Sequence, residues 1–379
     1  MKYYIIAGEA SGDLHASNLM REIKKLDPMA NFRFWGGELM AAEGGQMVGH
    51  YRDTAFMGVF ELVMNLSSIF KNIKRCKQDI HNYQPDVVIL VDYPGFNMRI
   101  AKFAKMGGFK VFYYIAPKVW AWNQGRVRKI KKYVDKVFTI LPFETDFYAK
   151  HGVPVVYSGN PLLDARPHRN NKDETSERFR IRNGLDDRPI VAMLAGSRKE
   201  EIERLLPEMV SMVSLFPSYQ FVIAGAPSFS HVNYERFIED TPDVKVLFNE
   251  TYSLLTHAHC SMVTSGTATL EAALLNCPQV VCYKMWGGEI SSFIAKRIII
   301  QVPFISLVNL IMNREVVKEL FQGELTRKSL RKELDLLCNE DKYRAEMFQG
   351  YDELRNIMGD AGSSERTARL MWESLANLK

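Results

Sequence analysis

Val87-Val88-Ile89-Leu90-Val91 is the stretch that most restricts how this chain can fold. A strand wetted on one side alternates apolar and polar residues. An uninterrupted β-branched run is instead covered on both faces, as in a parallel sheet with helices above and below it. The same style recurs. Residues 3–7, 32–35, 111–115 and 136–140 read as strands in the first half of the chain. Residues 190–194, 220–224, 245–248, 261–264 and 279–283 read as strands in the second. Helical patterns lie between them; 13–26 places Leu14, Leu19, Ile23 and Leu26 near one face. Strands alternating with helices predict βαβ units and an α/β class.

The 379 residues exceed what one hydrophobic core usually serves. The composition changes between about 164 and 187, where Arg166-Pro167-His168-Arg169-Asn170-Asn171-Lys172-Asp173-Glu174 is charged and turn-rich. The expected organisation is two doubly wound, Rossmann-like domains facing a cleft, 1–165 and 166–359. A C-terminal helix follows within 360–379, capped near Ser363, Ser364 and Glu365.

Bulk properties narrow the function. Hydrophobic residues make up 47% and charged residues 25%, as in a soluble globular protein. The net charge of +5 suits a nucleotide, a phosphorylated substrate or an anionic membrane face, and is too small to imply nucleic acid. The five cysteines, Cys76, Cys260, Cys277, Cys282 and Cys338, are scattered with no CxxC pair. That pattern predicts neither a disulfide framework nor a zinc site, and fits a reducing compartment. The N-terminal apolar run is closed by Glu9 and is too short for a signal peptide. No run of ~18 apolar residues marks a transmembrane helix.

Ligands on doubly wound sheets bind beyond the carboxyl ends of the strands, so the turns there are the places to search. Thr264-Ser265-Gly266-Thr267 follows one strand and opens a helix. Free backbone N–H groups and the helix dipole favour an anion there, and Gly266 allows close approach. Glu271, about one turn further on, is placed to accept from two sugar hydroxyls. The plainer alternative is an ordinary connection with a surface Glu. Gly196-Ser197-Arg198 repeats the arrangement with a guanidinium able to fork onto a diphosphate; alternatively Arg198 pairs with Glu200 or Glu201.

In the first half, Gly8-Glu9-Ala10-Ser11-Gly12-Asp13 makes a close-approach loop. Glu9 and Asp13 would repel a phosphate, so Glu9, Ser11, Gly12 and Asp13 suit a sugar better; alternatively the loop is a tight turn before a helix. Asp92 stands at the mouth of the 87–91 run. A carboxylate there is costly unless it faces a cleft, where partial desolvation would make it a better base. It could instead cap the next turn. Trp120 and Trp122 stack on a sugar, shape an acceptor pocket, or simply pack. Segment 56–70 is rich in large apolar residues and is followed by Lys71, Lys74, Arg75 and Lys77. Segment 126–132 is basic, with an apolar residue at every third place. Together they read as a peripheral membrane contact through Phe60, Val63 and Leu66, against the alternatives of a core helix and a solvated basic face.

These motifs, in order, resemble the lipid-A-disaccharide synthase family, inverting glycosyltransferases of the GT-B fold. The resemblance runs almost end to end: AGEASGD (7–13), Gly36-Gly37, MGVFELV (57–63), VDYPGFN (91–97), YIAPKVWAWNQGRV (114–127), LPFE (141–144), LAGSR (194–198), TSGTATLEAAL (264–274) and FISLVNLI (304–311). It implies transfer from UDP-2,3-diacylglucosamine to 2,3-diacylglucosamine 1-phosphate (lipid X), giving a β-1,6-linked disaccharide 1-phosphate on the route to the lipid A of Gram-negative outer membranes. It implies no metal and no other cofactor. It makes Asp92 the essential aspartate and base, and Arg198 the essential arginine near the diphosphate. Gly196, Ser197, Ser265, Gly266, Thr267 and Glu271 then hold the nucleotide sugar, and Asn309 lines the site. It implies a cytoplasmic protein on the face of the inner membrane. The 360–379 helix would return to the first domain or exchange with a partner subunit in a homodimer. Gly95, Ala195 and Val308 depart from the usual family residues without removing a functional group. Two other readings are an enzyme of the same fold acting on UDP-GlcNAc, such as an epimerase, and a non-catalytic nucleotide-sugar-binding protein.

Overall fold

The computed structural model describes residues 1–53, 66–117, 119–122, 125–165, 174–284 and 303–376. Of these, the side chains of Leu66, Ala121, Trp122 and Ala165 are not described. The chain forms two compact units. The first is Met1–Asp164 with Met358–Lys379, and the second is Ala165–Ile357.

The first unit is built on seven strands: β1 (Lys2–Ala7), β2 (Asn31–Gly36), β3 (Gln46–His50), β4 (Val87–Val91), β5 (Lys110–Tyr114), β6 (Lys136–Thr139) and β7 (Val155–Tyr157). All pair in parallel, in the order β3-β2-β1-β4-β5-β6-β7. The unbroken apolar runs follow from burial on both faces. Tyr4, Ile6, Val88, Leu90 and Tyr113 face one core, whereas Tyr3, Ile5, Ala7, Val87, Ile89, Val91 and Tyr114 face the other. Strand periodicity of two splits each run between the cores.

The helix Ser363–Ala376 completes the second of these cores with Ala368, Met371 and Leu375. Asp164 fixes where it starts. The Asp164 carboxylate accepts from Gly362 N at 2.7 Å, Ser363 N at 3.0 Å and Ser364 N at 3.0 Å. Those are free helix-start donors, and the anion lies at the positive end of the dipole.

The second unit has β8 (Ile190–Leu194), β9 (Gln220–Gly225), β10 (Lys245–Phe248), β11 (Cys260–Thr264), β12 (Gln279–Tyr283) and β13 (Lys318–Phe321). They are parallel in the order β10-β9-β8-β11-β12-β13. Ile190, Ala192, Leu194, Val222 and Val263 pack with Phe179, Leu254, Leu255 and Ala272 on one face.

In each sheet the order reverses once, between β1 and β4 and between β8 and β11. That reversal opens a crevice beyond the carboxyl ends of the two strands. Gly8 and Asp92 directly follow the strands of the first pair, and Ala195 and Ser265 those of the second.

Several local expectations change. The 8–13 segment is not a free loop: the helix Ala10–Leu26 starts inside it. The basic 126–132 segment lies on the helix Gly125–Tyr133, which turns Val127 and Ile130 into the core. Its apolar third places therefore face inward, and only its basic face meets solvent. Among the described residues no helix is long and apolar enough to cross a membrane.

Candidate functional site

At the switch point of the first unit, β4 ends in an elbow. Asp92 and Tyr93 both adopt left-handed backbone, with φ of 47° and 48°. Residues with a Cβ avoid that region, and such outliers gather at functional sites. Pro94 then opens the helix Pro94–Met106, where its fixed φ and missing N–H carry no penalty. Next to it, Ile115 directly follows β5 with φ of 56°, an unusual value for a β-branched residue. The two strained turns are neighbours, since Val91 pairs with Tyr114 and Asp92 N donates to Tyr114 O at 3.2 Å. Across the switch point, Gly8 makes room for Tyr93, whose ring atoms would lie 2.2 Å from a Cβ at that position. Asp92 is half-buried.

Glu9 and Ser11 are exposed beside this elbow, just past β1. Gly12 and Asp13 are not. Gly12 is buried and lets its helix pack on Ala7, 3.3 Å from where a Cβ would be. Asp13 is 2% exposed, and its carboxylate accepts from Gly37 N at 2.7 Å, Leu39 N at 3.1 Å and Met40 N at 3.2 Å. It holds the start of the helix Glu38–Ala42 and is committed there, rather than to a sugar hydroxyl. Gly37 is needed beside it, because a Cβ would come 2.7 Å from Asp13 Oδ2.

Trp120 also differs from a stacking platform. It is buried, donates from Nε1 to Glu144 Oε1 at 3.0 Å, and meets Phe143 edge-on at 4.9 Å. Those contacts make it a packing residue. Trp122 closes the same short helix, Val119–Trp122, and its side chain is not described. Phe60 and Val63 lie outside the described residues, and Leu66 opens the helix Leu66–Tyr83.

In the second unit the switch point is lined by two glycine turns. After β8, Gly196 has φ of 121° and precedes the helix Lys199–Val210. Ser197 N and Arg198 N both donate to Glu201 Oε2, at 3.0 and 3.3 Å. An anion thus already occupies this turn, supplied by the chain itself. The Arg198 guanidinium is 72% exposed and 3.8 Å from Glu201 Oε1, a loose pairing. The pairing and the anion turn therefore coexist.

After β11, Gly266 has φ of 132° and caps the helix Thr267–Leu274. Among the described residues nothing lies within 4 Å of a Cβ placed on Gly266. Ser265 Oγ donates to Ile305 O at 3.1 Å, and Thr267 is exposed. The buried Thr264 hydroxyl has no hydrogen-bond partner among the described residues. Glu271 accepts from the Tyr252 hydroxyl at 2.9 Å. Burial raises its pKa above the usual carboxylate value, and the Tyr252 bond pulls it partly back.

Asn309 lies on the neighbouring helix Leu307–Met312 but does not open onto ligand. It is fully buried, and its Nδ2 donates to Val317 O at 2.8 Å and Glu319 Oε1 at 2.9 Å. Its Oδ1 accepts from Val316 N at 2.8 Å and Val317 N at 3.0 Å. All four of its hydrogen-bonding positions are spent, so Asn309 is a scaffold residue. Glu319 on β13, which sequence reasoning missed, also accepts from Ile305 N and Ser306 N, each at 2.9 Å. It pins the segment that receives the Ser265 hydroxyl. Among the described residues no group of three or more His, Cys, Asp or Glu could hold a metal ion.

Two parallel sheets, each with helix-opening turns at its switch point, define an α/β fold of the GT-B type. Solved structures share it. The UDP-GlcNAc 2-epimerase of Neisseria meningitidis, bound to UDP-GlcNAc, superposes with a TM-score of 0.70 at 13% identity, covering 100% of both chains. A calicheamicin glycosyltransferase gives 0.62 at 13% identity, over 99% of this chain and 98% of that one. The sequence is more specific. The family described as lipid-A-disaccharide synthetase matches residues 3–369. The lipid-A-disaccharide synthase of Myxococcus xanthus is 37% identical over 98% of this chain and 97% of its own length. That of Coxiella burnetii is 34% identical over 97% and 96%. The chain belongs to the lipid-A-disaccharide synthetase family.

Proposed function

We propose that this chain joins UDP-2,3-diacylglucosamine to lipid X, releasing UDP and the β-1,6-linked disaccharide 1-phosphate. Family membership supports the reaction, and the strained elbow at Asp92 is the single observation that carries the catalytic assignment. Asp92 takes the proton from the acceptor 6-hydroxyl as that oxygen attacks the anomeric carbon. The bond from the anomeric carbon to the diphosphate oxygen breaks, its electron pair leaves with UDP, and the configuration inverts.

The second unit holds the donor. Backbone N–H groups at Gly196, Ser197, Ser265, Gly266 and Thr267 face the diphosphate, and Arg198 offsets the charge that grows on the leaving group. The diphosphate competes with Glu201 for the Ser197 and Arg198 N–H groups. Glu271 accepts from the ribose hydroxyls. On the acceptor side Glu9 and Ser11 remain exposed and available.

Both substrates carry acyl chains, and each buried CH₂ is worth ~0.8 kcal/mol, so full extraction into water is unfavourable. The chain therefore works against the cytoplasmic leaflet of the inner membrane through Phe60, Val63 and Leu66. The helix that follows supports this: Phe70 is 58% exposed on it, beside exposed Lys71, Lys74 and Arg75.

The test is one assay: purified protein with UDP-2,3-diacylglucosamine and lipid X, products read by mass spectrometry. Disaccharide 1-phosphate and UDP in equal amounts are expected. Epimerised UDP-GlcNAc from a water-soluble substrate, with no disaccharide, would replace this reading with the epimerase one. Tight UDP binding without any product would favour a binding protein.

A further inference from the structure

The Asp92 elbow is held from behind by two buried groups. Asn97 is 0% exposed on the helix Pro94–Met106. Its Nδ2 donates to Asp92 O at 2.8 Å and to Val91 O at 3.2 Å. Tyr113, also 0% exposed, reaches the same Asp92 carbonyl from β5, and its hydroxyl donates at 2.7 Å. Two donors on one carbonyl fix the peptide plane between Asp92 and Tyr93. That plane sets the backbone on both sides of it, and so the direction in which the Asp92 side chain leaves the strand. Left-handed backbone at two successive residues with a Cβ persists only where the surroundings over-determine it. Asn97 and Tyr113 supply that determination.

Other features of the two residues agree. Among the described residues Asn97 Oδ1 is buried without a partner, a cost an apolar residue of similar size would avoid. Its Nδ2 bonds are what the side chain contributes. Burial, with the Asp92 carboxylate adding to it, pushes the Tyr113 phenol well above its usual range. It therefore stays protonated, and a donor, across the neutral range. The Tyr113 ring packs within the core, a task phenylalanine would perform equally well.

We propose that Asn97 and Tyr113 are positioning residues for the glycosyl transfer, holding the Asp92 carbonyl so that its carboxylate is aimed at the acceptor hydroxyl. This rests on the reading of Asp92 as the base.

The test combines Tyr113→Phe with Asp92→Asn, separately and together, and adds Asn97→Ala as a second probe of the same carbonyl. Tyr113→Phe is expected to lower kcat about tenfold, within the range that small misplacements of a reacting group produce. Its KM for the UDP-sugar and its thermal melting should stay near wild type, because the packing ring is retained. In the Asp92→Asn background the same substitution should add nothing, since the group it positions is already gone. Asn97→Ala should reproduce the fall in kcat. Wild-type kcat in Tyr113→Phe, with Asp92→Asn inactive, would overturn the positioning role and leave the base assignment standing. Additive losses in the double variant, or a parallel fall in kcat, donor affinity and melting temperature, would make Tyr113 a packing residue only. Near-normal turnover in Asp92→Asn would instead sink the base assignment, and the positioning role with it.

Discussion

The two units meet the same requirement at their switch points with different backbone chemistry. In the second, the left-handed positions are glycines, Gly196 at 121° and Gly266 at 132°. In the first they are Asp92, Tyr93 and Ile115, at 47°, 48° and 56°. Glycine reaches such angles freely and uncovers the backbone, which suits a turn whose N–H groups do the binding. A site whose function lies in a side chain must keep its Cβ, and must hold the strained backbone by other means. Asn97 and Tyr113 hold it here. On the proposed reading, the contrast separates a turn that binds a diphosphate from an elbow that aims a carboxylate.

The largest expected effect lies at the elbow. Asp92→Asn should lower turnover by about 10²–10⁴, the usual contribution of a general base. Steady-state kinetics with both lipid substrates will measure it. Arg198→Ala should cost about 10²–10³ in kcat/KM, as expected for loss of a donor to developing charge. Unlike the Asp92 variant, it should also weaken UDP. If Arg198→Ala left UDP binding untouched, the guanidinium would belong to neither half of the comparison as drawn.

Gly266→Ala comes next. No described residue crowds a Cβ there, so the penalty is conformational, on the order of 1 kcal/mol in stability with a comparable loss in UDP affinity. Chemical denaturation and calorimetric titration will read the two. Glu201→Gln tests whether the internal carboxylate competes with the diphosphate. Hydrogen bonds to charged groups exceed neutral ones by roughly 1 kcal/mol, so UDP should bind about fivefold tighter. Weaker binding would make Glu201 a support for the turn.

The smallest effect is a shift in pH dependence. Burial already raises Glu271, and the Tyr252 hydroxyl opposes that rise. UDP affinity that depends on ionised Glu271 falls as pH drops through its pKa. Removing the hydroxyl raises that pKa, so in Tyr252→Phe the acid limb of UDP binding should move to higher pH. An unmoved or lowered limb would separate Glu271 from the nucleotide.

Strands were legible to the residue at 87–91, 190–194 and 279–283, inside the sheets, and at 245–248, on an edge. The strands β3, β7 and β13 were not. Val155–Tyr157 is only 3 residues long, and Gln46–His50 and Lys318–Phe321 mix polar with apolar residues, so no strong pattern marks them. The turns after β8 and β11 were legible as turns because a glycine follows closely on a buried apolar strand. What the chain conceals are roles set by distant partners. Asp13 is engaged by Gly37, Leu39 and Met40, and Asn309 by Val316, Val317 and Glu319. Neither can be seen from local spacing. Tyr113 looks like any core tyrosine until its hydroxyl is traced to Asp92 O. Glu319 hid in a short polar strand for the same reason.

The division of labour between elbow and glycine turns is tested most directly by titrating UDP into the Asp92→Asn protein by calorimetry. An affinity within about twofold of wild type, in a protein that has lost its turnover, is the predicted result. A tenfold or greater loss of UDP affinity in that protein would contradict it.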